Sequence, residues 1–158
     1  MGNIFSGSEV VEIGIQIEKN GRDYYSTLMN QSKSEKAREL FKYLSSEEEK
    51  HILTFQKILE TVQKYEPQGL DSDEYYAYMN DLASEHVFTQ ENKGTEIAKT
   101  IKSDKEAIEK AIGFEEDSIV FYEGMKKIVP EYDLKVVEWL IGQEQNHLKQ
   151  LIELKHTI

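Results

Sequence analysis

The sequence predicts an all-α fold, an up-down-down-up four-helix bundle with a long crossover between the second and third long helices. Two observations indicate helices. Proline occurs only twice in 158 residues, and Glu, Lys, Leu, Ile and Ala dominate long stretches, a composition that favours helices over strands. Apolar residues also recur every three or four positions in four long segments. The break-rich region 66–102 separates the second segment from the third, which gives the bundle its crossover.

The first two segments predict a helical hairpin. The first helix should span Ser8 to Gln31. A capping box that starts at Ser32 and ends at Glu35 should open the second helix, which extends to about Tyr65. Because only a tight turn separates the two helices, they should pack antiparallel. Their inward faces would consist of Val11, Ile15, Glu18, Gly21, Tyr25 and Leu28 in the first and Leu44, Glu48, His51, Phe55, Ile58 and Val62 in the second.

The region 66–102 predicts a crossover and not a domain linker, since it is rich in aromatic residues and is not of low complexity. Pro67 breaks the second helix. A short amphipathic helix follows between Asp73 and Val87, and Gly94 marks a further break. We therefore expect the chain, 1–158, to form a single domain.

Two further long helices complete the bundle. A capping box from Ser103 to Glu106 opens the third helix, which should last to about Ile128. Pro130 suits the first turn of a helix and begins the fourth. Their inward stripes would consist of Ile108, Ile112, Glu115, Ile119, Tyr122 and Val129 in the third and Val137, Ile141, Glu144, His147 or Leu148, and Leu151 in the fourth.

An internal repeat relates the two halves of the chain. In each half, a glutamate opens the pattern Glu-x-x-small-x-x-aromatic-Tyr, and Glu-x-x-His follows about thirty residues later. Residues three apart share one face of a helix, so each Glu-x-x-His can direct a carboxylate and an imidazole at one point. The repeat predicts a pseudo-twofold axis with equivalent ligands on either side of it. The six residues are Glu18, Glu48 and His51 in the first half and Glu115, Glu144 and His147 in the second.

The four glutamates of this repeat lie on predicted apolar faces, where an isolated carboxylate is costly to bury. Few inward-facing Lys or Arg residues are available to compensate them. Two divalent cations would balance four negative charges, and two neutral imidazoles would add none. The sequence therefore predicts a pair of metal ions inside the bundle.

The ligand types narrow the choice of metal. Oxygen-rich sites with one imidazole for each ion suit iron(II) or manganese(II), and zinc binds such groups as well. With iron the centre would be redox-active and could react with dioxygen or hydrogen peroxide. Tyr25 and Tyr122 follow Glu18 and Glu115 by seven residues, two turns along the same face. They could hydrogen-bond to the ligand carboxylates.

At these six residues the chain resembles the ferritin-like di-iron carboxylate proteins of the rubrerythrin type, whose pattern is Glu, Glu-x-x-His, Glu, Glu-x-x-His on successive helices. The resemblance covers nearly the whole chain. It implies that the six residues bind two iron ions. It also implies a peroxidase or ferroxidase, an oxidoreductase that reduces hydrogen peroxide or dioxygen, or oxidises iron(II), in defence against oxidative stress. The resemblance further implies a homodimer.

Two departures from that family limit what carries over. Full-length rubrerythrins add a cysteine-bound iron domain, whereas this sequence contains no cysteine. Electrons would then come from an external electron-donor protein or from iron(II) itself. Many rubrerythrins also carry a glutamate three residues after the third-helix ligand, and Ser118 stands there. Two alternatives stay open, an iron-storage ferroxidase of the bacterioferritin kind and a non-catalytic bundle that binds zinc or manganese.

Composition excludes several other classes of function. A net charge of −11 and a pI near 4.9 argue against binding to nucleic acid or to an anionic membrane surface. No apolar run approaches the ~20 residues of a membrane span. The first residues lack a basic region followed by a long apolar run, so we predict no secretion signal and a soluble, cytoplasmic protein.

Other polar residues have simpler interpretations. Glu153-x-x-His156 also fits the metal motif but lies half a turn out of phase with the fourth-helix pair, so it should face solvent. His86 lies in the crossover and is expected at the periphery or surface. Trp139 is expected to be a packing residue. Glu48 is preferred over its neighbours Glu47 and Glu49, and Glu115 over Glu116, because each shares the apolar stripe.

Overall fold

The computed structural model describes residues 6–64 and 73–158, and every regular element within these ranges is a helix. A short 3-10 turn, Val87–Thr89, lies between the third and fourth helices. The helices are α1 (Gly7–Gln31), α2 (Glu35–Lys64), α3 (Asp73–Glu85), α4 (Lys93–Thr100), α5 (Asp104–Met125) and α6 (Glu131–Lys155).

The four long helices α1, α2, α5 and α6 form the bundle. α1 runs antiparallel to α2, because Gly14 packs against Phe55 while Gly21, further along α1, packs against Glu48, earlier in α2. α1 is also antiparallel to α5, since Glu18 contacts Tyr122 whereas Tyr25, further along α1, contacts Glu115, earlier in α5. The first and second long helices therefore point in opposite directions and the third points with the second. The predicted all-α, up-down-down-up fold class is confirmed.

Local capping fixes most helix starts, and one predicted start is wrong. Ser103 caps α5 as predicted, because its hydroxyl accepts a hydrogen bond from the backbone N–H of Glu106 at 3.1 Å. At α2 the cap is Ser34, whose hydroxyl accepts from the N–H of Ala37 at 3.3 Å. The expected cap, Ser32, instead ends α1, and its backbone N–H donates to the carbonyl of Leu28. A serine two residues before the actual cap cannot reach the free N–H groups of the next helix.

The described part of the crossover lies along α1 and α5. The predicted amphipathic helix is α3. Gly94 was expected to break the chain, but it lies inside α4 and is buried, so that prediction was wrong. A Cβ at Gly94 would lie 2.0 Å from the carbonyl oxygen of Asn20, so the glycine permits α4 to touch α1. The predicted break at Pro67 and the predicted end at Tyr65 fall outside the described residues.

The inward stripes predicted for the long helices form the core, except that Ile112 and Ile119 on α5 are only partly buried against it. The largest fully buried side chains are Tyr24, Tyr122, Phe41, Phe55, Phe121 and Leu28. Trp139 differs from its expected packing role, because 52% of it is exposed on α6. No helix within the described ranges is long and apolar enough to cross a membrane.

Candidate metal centre

The structure brings the side chains of the internal repeat together in the middle of the bundle. Each long helix contributes from its buried face, and the fractional exposure of these residues does not exceed 4%. The six residues are Glu18 from α1, Glu48 and His51 from α2, Glu115 from α5, and Glu144 and His147 from α6.

These side chains form two overlapping groups of potential ligands. In each group, one atom from every side chain lies within 4.8 Å of the others. Both groups contain Glu48 and Glu144, so these two carboxylates are placed to be shared between two cation positions. The remaining members differ between the groups, with Glu18 and His51 in one and Glu115 and His147 in the other.

Both histidines direct Nδ1 at the carboxylates. His51 Nδ1 lies 2.9 Å from Glu144 Oε1 and 3.6 Å from Glu18 Oε2. His147 Nδ1 lies 3.3 Å from Glu48 Oε1 and 3.4 Å from Glu144 Oε2. The two imidazole rings stack nearly parallel, with centroids 5.4 Å apart. The pseudo-twofold relation that the repeat predicts is therefore visible in the geometry.

Two tyrosines connect the halves in a reciprocal way. The hydroxyl of Tyr25 on α1 donates a hydrogen bond to Glu115 Oε1 on α5 at 2.7 Å. The hydroxyl of Tyr122 on α5 donates to Glu18 Oε1 on α1 at 2.8 Å. Each tyrosine thus holds the carboxylate of the opposite half, and each leaves the second oxygen of that carboxylate available.

Burial and mutual proximity shift the ionisation of this cluster. Burial raises the pKa of Glu115 well above its usual value, and the charge of Glu144 raises it further. Burial lowers the pKa of His51, but the hydrogen bonds to Glu144 and Glu18 outweigh this effect and raise the pKa to about 11. Without metal, the cluster therefore retains protons that a bound cation would displace.

Several buried polar atoms of the cluster lack a hydrogen-bond partner, as expected for a site built to hold ions. The unpartnered atoms are Glu18 Oε2, Glu48 Oε1, His51 Nε2, His147 Nδ1 and His147 Nε2. Within the described ranges, the salt bridges of the four glutamates involve only histidines, and no Lys or Arg compensates them. Because uncompensated buried carboxylates are unfavourable, the donor set fits a pair of divalent cations.

His86 is a residue whose position the sequence analysis placed wrongly. It is 2% exposed, so it is buried within the crossover and not at the surface. Its Nδ1 accepts from the backbone N–H of Phe88 at 3.3 Å, so Nε2 carries the proton and donates to the hydroxyl of Ser118 at 2.9 Å. Met79 and Ala83, both fully buried, precede it by seven and three residues. This helical spacing is the signal that could have predicted its burial.

Ser118 connects this histidine to the centre. It lies one turn after Glu115 on α5, and its hydroxyl donates to the carbonyl of Phe114 at 2.8 Å. Ser118 also lines a narrow cavity that reaches Glu48 and Glu115. The crossover is therefore hydrogen-bonded to the helix that carries Glu115, next to the candidate metal centre.

The competing motif on α6 faces solvent as predicted. Glu153 and His156 are both exposed. On α2, Glu48 is buried, whereas Glu49 is exposed and forms a salt bridge with Arg22 on α1 at 2.7 Å. Helical phase therefore distinguishes the buried candidate ligands from residues of the same types on the exposed faces of these helices.

Comparison with known proteins agrees with this geometry. Residues 9–155 match the family Rubrerythrin. The chain belongs to the rubrerythrin family. The resemblance that the sequence analysis described is thus confirmed over almost the entire chain.

A solved structure shares the rubrerythrin-like fold. It is from Thermotoga maritima and is named as a ferritin-like diiron-carboxylate protein. The two chains are 23% identical, the alignment covers 99% of this chain and 98% of the other, and the TM-score is 0.72. The fold is therefore ferritin-like. No curated protein matches the sequence significantly.

Proposed function

We propose that this rubrerythrin-family protein holds two iron ions between its four long helices and reduces hydrogen peroxide, or dioxygen, with them. One observation carries the proposal. Four buried glutamates meet two histidines in two overlapping groups, and no Lys or Arg neutralises them within the described residues. Glu48 and Glu144 would be shared by both ions.

The choice of iron rests on the donor set. Each group offers three carboxylates and one imidazole, a combination that suits iron(II) or manganese(II), while zinc remains an alternative. Two iron(II) ions would supply the two electrons that reduce one hydrogen peroxide to water. Zinc would give a colourless protein without redox activity.

The tyrosines would orient the terminal carboxylates. Burial raises the pKa of Tyr25 well above its usual value, and the charge of Glu115 acts in the same direction. Burial and then Glu18 raise the pKa of Tyr122 likewise. Both hydroxyls therefore keep their protons at neutral pH and remain donors, which fixes one oxygen of each carboxylate and directs the other toward the ion.

A narrow cavity lies beside Glu48 and Glu115. Gly21 and Ser118 occupy equivalent places in the repeat, three residues after Glu18 and Glu115, and both line the cavity. Their small side chains leave room next to two of the carboxylates. This space is far too small for an organic substrate, which favours a small oxidant such as hydrogen peroxide or dioxygen.

Electrons for repeated turnover would come from outside this chain. The sequence contains no cysteine and so offers no thiolate ligands for a second iron site. We propose that a separate electron-donor protein, or free iron(II), restores the reduced state, and that the protein acts as a homodimer.

Metal analysis and rapid kinetics test this proposal. Protein purified from iron-supplied cells should contain about two iron ions per chain, and the anaerobic reduced form should be oxidised by one equivalent of hydrogen peroxide. Purification with zinc or manganese at that level, or no oxidation by peroxide or dioxygen, would contradict the proposal.

The two Glu-x-x-His motifs of α6 provide a matched pair of variants. His147→Gln should abolish peroxide-dependent oxidation and lower the iron content, because it removes a ligand of one ion. His156→Gln alters the same residue type nine positions later on the exposed face and should leave both measurements unchanged. Equal losses in the two variants would show that the buried cluster is not the site.

A further inference from the structure

A third group of potential ligands lies outside the buried pair. Glu47 joins His51 and His147 in a group whose ligand atoms lie within 4.8 Å of one another. The side chain of Glu47 is 13% exposed, so this outer group connects the buried histidines with solvent. It lies between α2 and α6, whereas Glu49 pairs with α1 on the other side of α2.

Each of the two histidines has one ring nitrogen, Nε2, that can bind a cation in this outer group. Their Nδ1 atoms face the inner carboxylates, so the Nε2 atoms lie on the opposite edge of each ring. Both Nε2 atoms are buried and have no hydrogen-bond partner, and both residues are fully buried. Two unpartnered imidazole nitrogens beside a carboxylate form a donor set for a divalent cation.

Two partly exposed aromatic rings lie over this part of the bundle. The ring of Trp139 stands edge-on to His51 at 6.0 Å between centroids, and that of Tyr43 stands edge-on to His147 at 6.3 Å. Trp139 is 52% exposed and Tyr43 is 41% exposed. By contrast, Phe88, which is 2% exposed, lines the cavity on the crossover side. Glu47 is thus a partly exposed carboxylate next to both histidines on this less covered side.

We propose that Glu47, with the Nε2 atoms of His51 and His147, forms a staging site that binds a divalent cation on its way to the buried pair. The inference rests on the proposed metal centre. The staging site and the buried pair use the same two histidines, and Glu47 places the staging site nearer to solvent. An arriving cation therefore occupies the staging site before it passes to the inner positions.

Lys50 opposes the arriving cation. Its Nζ lies 3.0 Å from Glu47 Oε1, and its side chain is 67% exposed. An exposed ion pair of this kind contributes little free energy, so a divalent cation can displace the ammonium group from the carboxylate. Removal of Lys50 should then favour binding at Glu47, which is the opposite of removing Glu47 itself.

The test measures how fast the metal-free protein fills with cobalt(II). Stopped-flow absorbance follows the visible bands of bound cobalt(II), and metal analysis after gel filtration gives the final number of ions per chain. Wild-type protein should end with two. Glu47→Gln should fill about tenfold more slowly, within the range by which local charge changes association rates, and should also end with two. Lys50→Gln should fill about twofold faster.

Glu49→Gln is the matched control, because it removes an equal charge from the other side of α2. It should fill at the wild-type rate. A wild-type rate for Glu47→Gln with two ions at the end would overturn the staging site and leave the buried pair intact. An unchanged rate with fewer ions at the end would also overturn it, since Glu47 would then orient the histidines. Wild-type protein that ends with fewer than two ions would overturn the buried pair itself.

Discussion

The two sides of the bundle close the candidate metal centre in different ways. Between α1 and α5, the described crossover segment 86–94 covers the side chains, and we call this side the covered seam. Between α2 and α6, Tyr43 and Trp139 lie over the histidines and remain exposed, and we call this side the open seam. The candidate ligands are thus covered by a hydrogen-bonded segment of the crossover on one side and by partly exposed aromatic rings on the other.

Buried hydrogen bonds hold the covered seam together. Asn20, two residues after Glu18, donates from Nδ2 to the carbonyls of Phe88 and Gln90, at 2.6 Å each, and accepts from the N–H of Gly94 at 3.1 Å. His86 binds the same segment to α5 through Ser118. The crossover is therefore attached to both helices that carry the terminal glutamates. A satisfied polar network of this kind fixes a single arrangement.

The comparison indicates that the two seams have different roles. A covered seam keeps bulk water from the carboxylates and fixes Glu18 and Glu115. An open seam lets ions reach the histidines. Substitutions in the covered seam should therefore mainly reduce stability, and substitutions in the open seam should mainly change how metal is gained and lost.

Truncation of Phe88 should have the largest effect on stability. Its ring packs against Phe114 at 4.0 Å between centroids and against Tyr24 at 5.7 Å. Phe88→Ala leaves a cavity at the middle of the covered seam and should lower the free energy of unfolding by about 4 kcal/mol. Urea denaturation of the metal-free protein measures this loss. A loss below about 1 kcal/mol would show that the crossover contributes little to the fold.

The close contact between α4 and α1 should be the next most sensitive point. Gly94→Ala places a Cβ against the backbone of Asn20, which cannot move aside as a side chain could. We expect a loss of about 3 kcal/mol in the free energy of unfolding.

Gly142→Ala is the control for this substitution. Gly142 lies on α6, and a Cβ there meets no atom within 4 Å. Alanine should stabilise the helix by about 0.5–1 kcal/mol. Equal effects of the two substitutions, measured by the same denaturation, would contradict the close packing of the crossover on α1.

Helical phase explains why so much could be predicted from sequence. The inward faces of the long helices follow from a spacing of three or four residues, and the six candidate ligands share those faces. Their spatial convergence followed from the repeat, because equivalent positions in two similar halves must meet near a common axis. The family resemblance rested on the same residues.

The packing of the crossover could not be predicted, because its contacts link distant parts of the chain. Asn20 bonds with residues 68 to 74 positions later, and no local pattern marks such a partner. Gly94 was interpreted as a helix break because the sequence does not show that α1 packs against it. Glu48 was preferred over Glu47 as a ligand from helical phase, and that phase does not indicate that Glu47 also lies next to both histidines. Sequence periodicity predicts faces, but it does not predict which helix covers a face.

The covered seam should weaken in acid because of His86. Burial lowers the pKa of His86 from 6.5 to about 4. A folded-state pKa below the unfolded value means that the unfolded chain binds the proton more readily. The contribution of His86 to stability is therefore fully present above pH 6.5 and is lost as the pH falls from 6.5 to 4, by about 3 kcal/mol.

The difference between wild type and a variant isolates this effect from other titrating groups. His86→Gln keeps a hydrogen-bond donor for Ser118 but does not titrate. The wild-type free energy of unfolding should fall more steeply than that of the variant between pH 6.5 and pH 4. If the free energy of unfolding fell with pH to the same extent in both proteins, His86 would not be held neutral by burial within the crossover.

Truncation of Trp139 should have the smallest effect on stability and should define the open seam. Because half of this side chain is already exposed, Trp139→Ala should change the free energy of unfolding by less than about 1 kcal/mol, in contrast to Phe88→Ala. It also uncovers the edge of His51, so a chelator should extract cobalt(II) from the loaded protein a few times faster than from wild type.

Tyr132→Ala, which truncates a 65% exposed aromatic residue on the first turn of α6, should leave that rate unchanged. If Trp139→Ala were as destabilising as Phe88→Ala, or if metal left both α6 variants at the wild-type rate, the two seams would not differ in the way their exposure indicates.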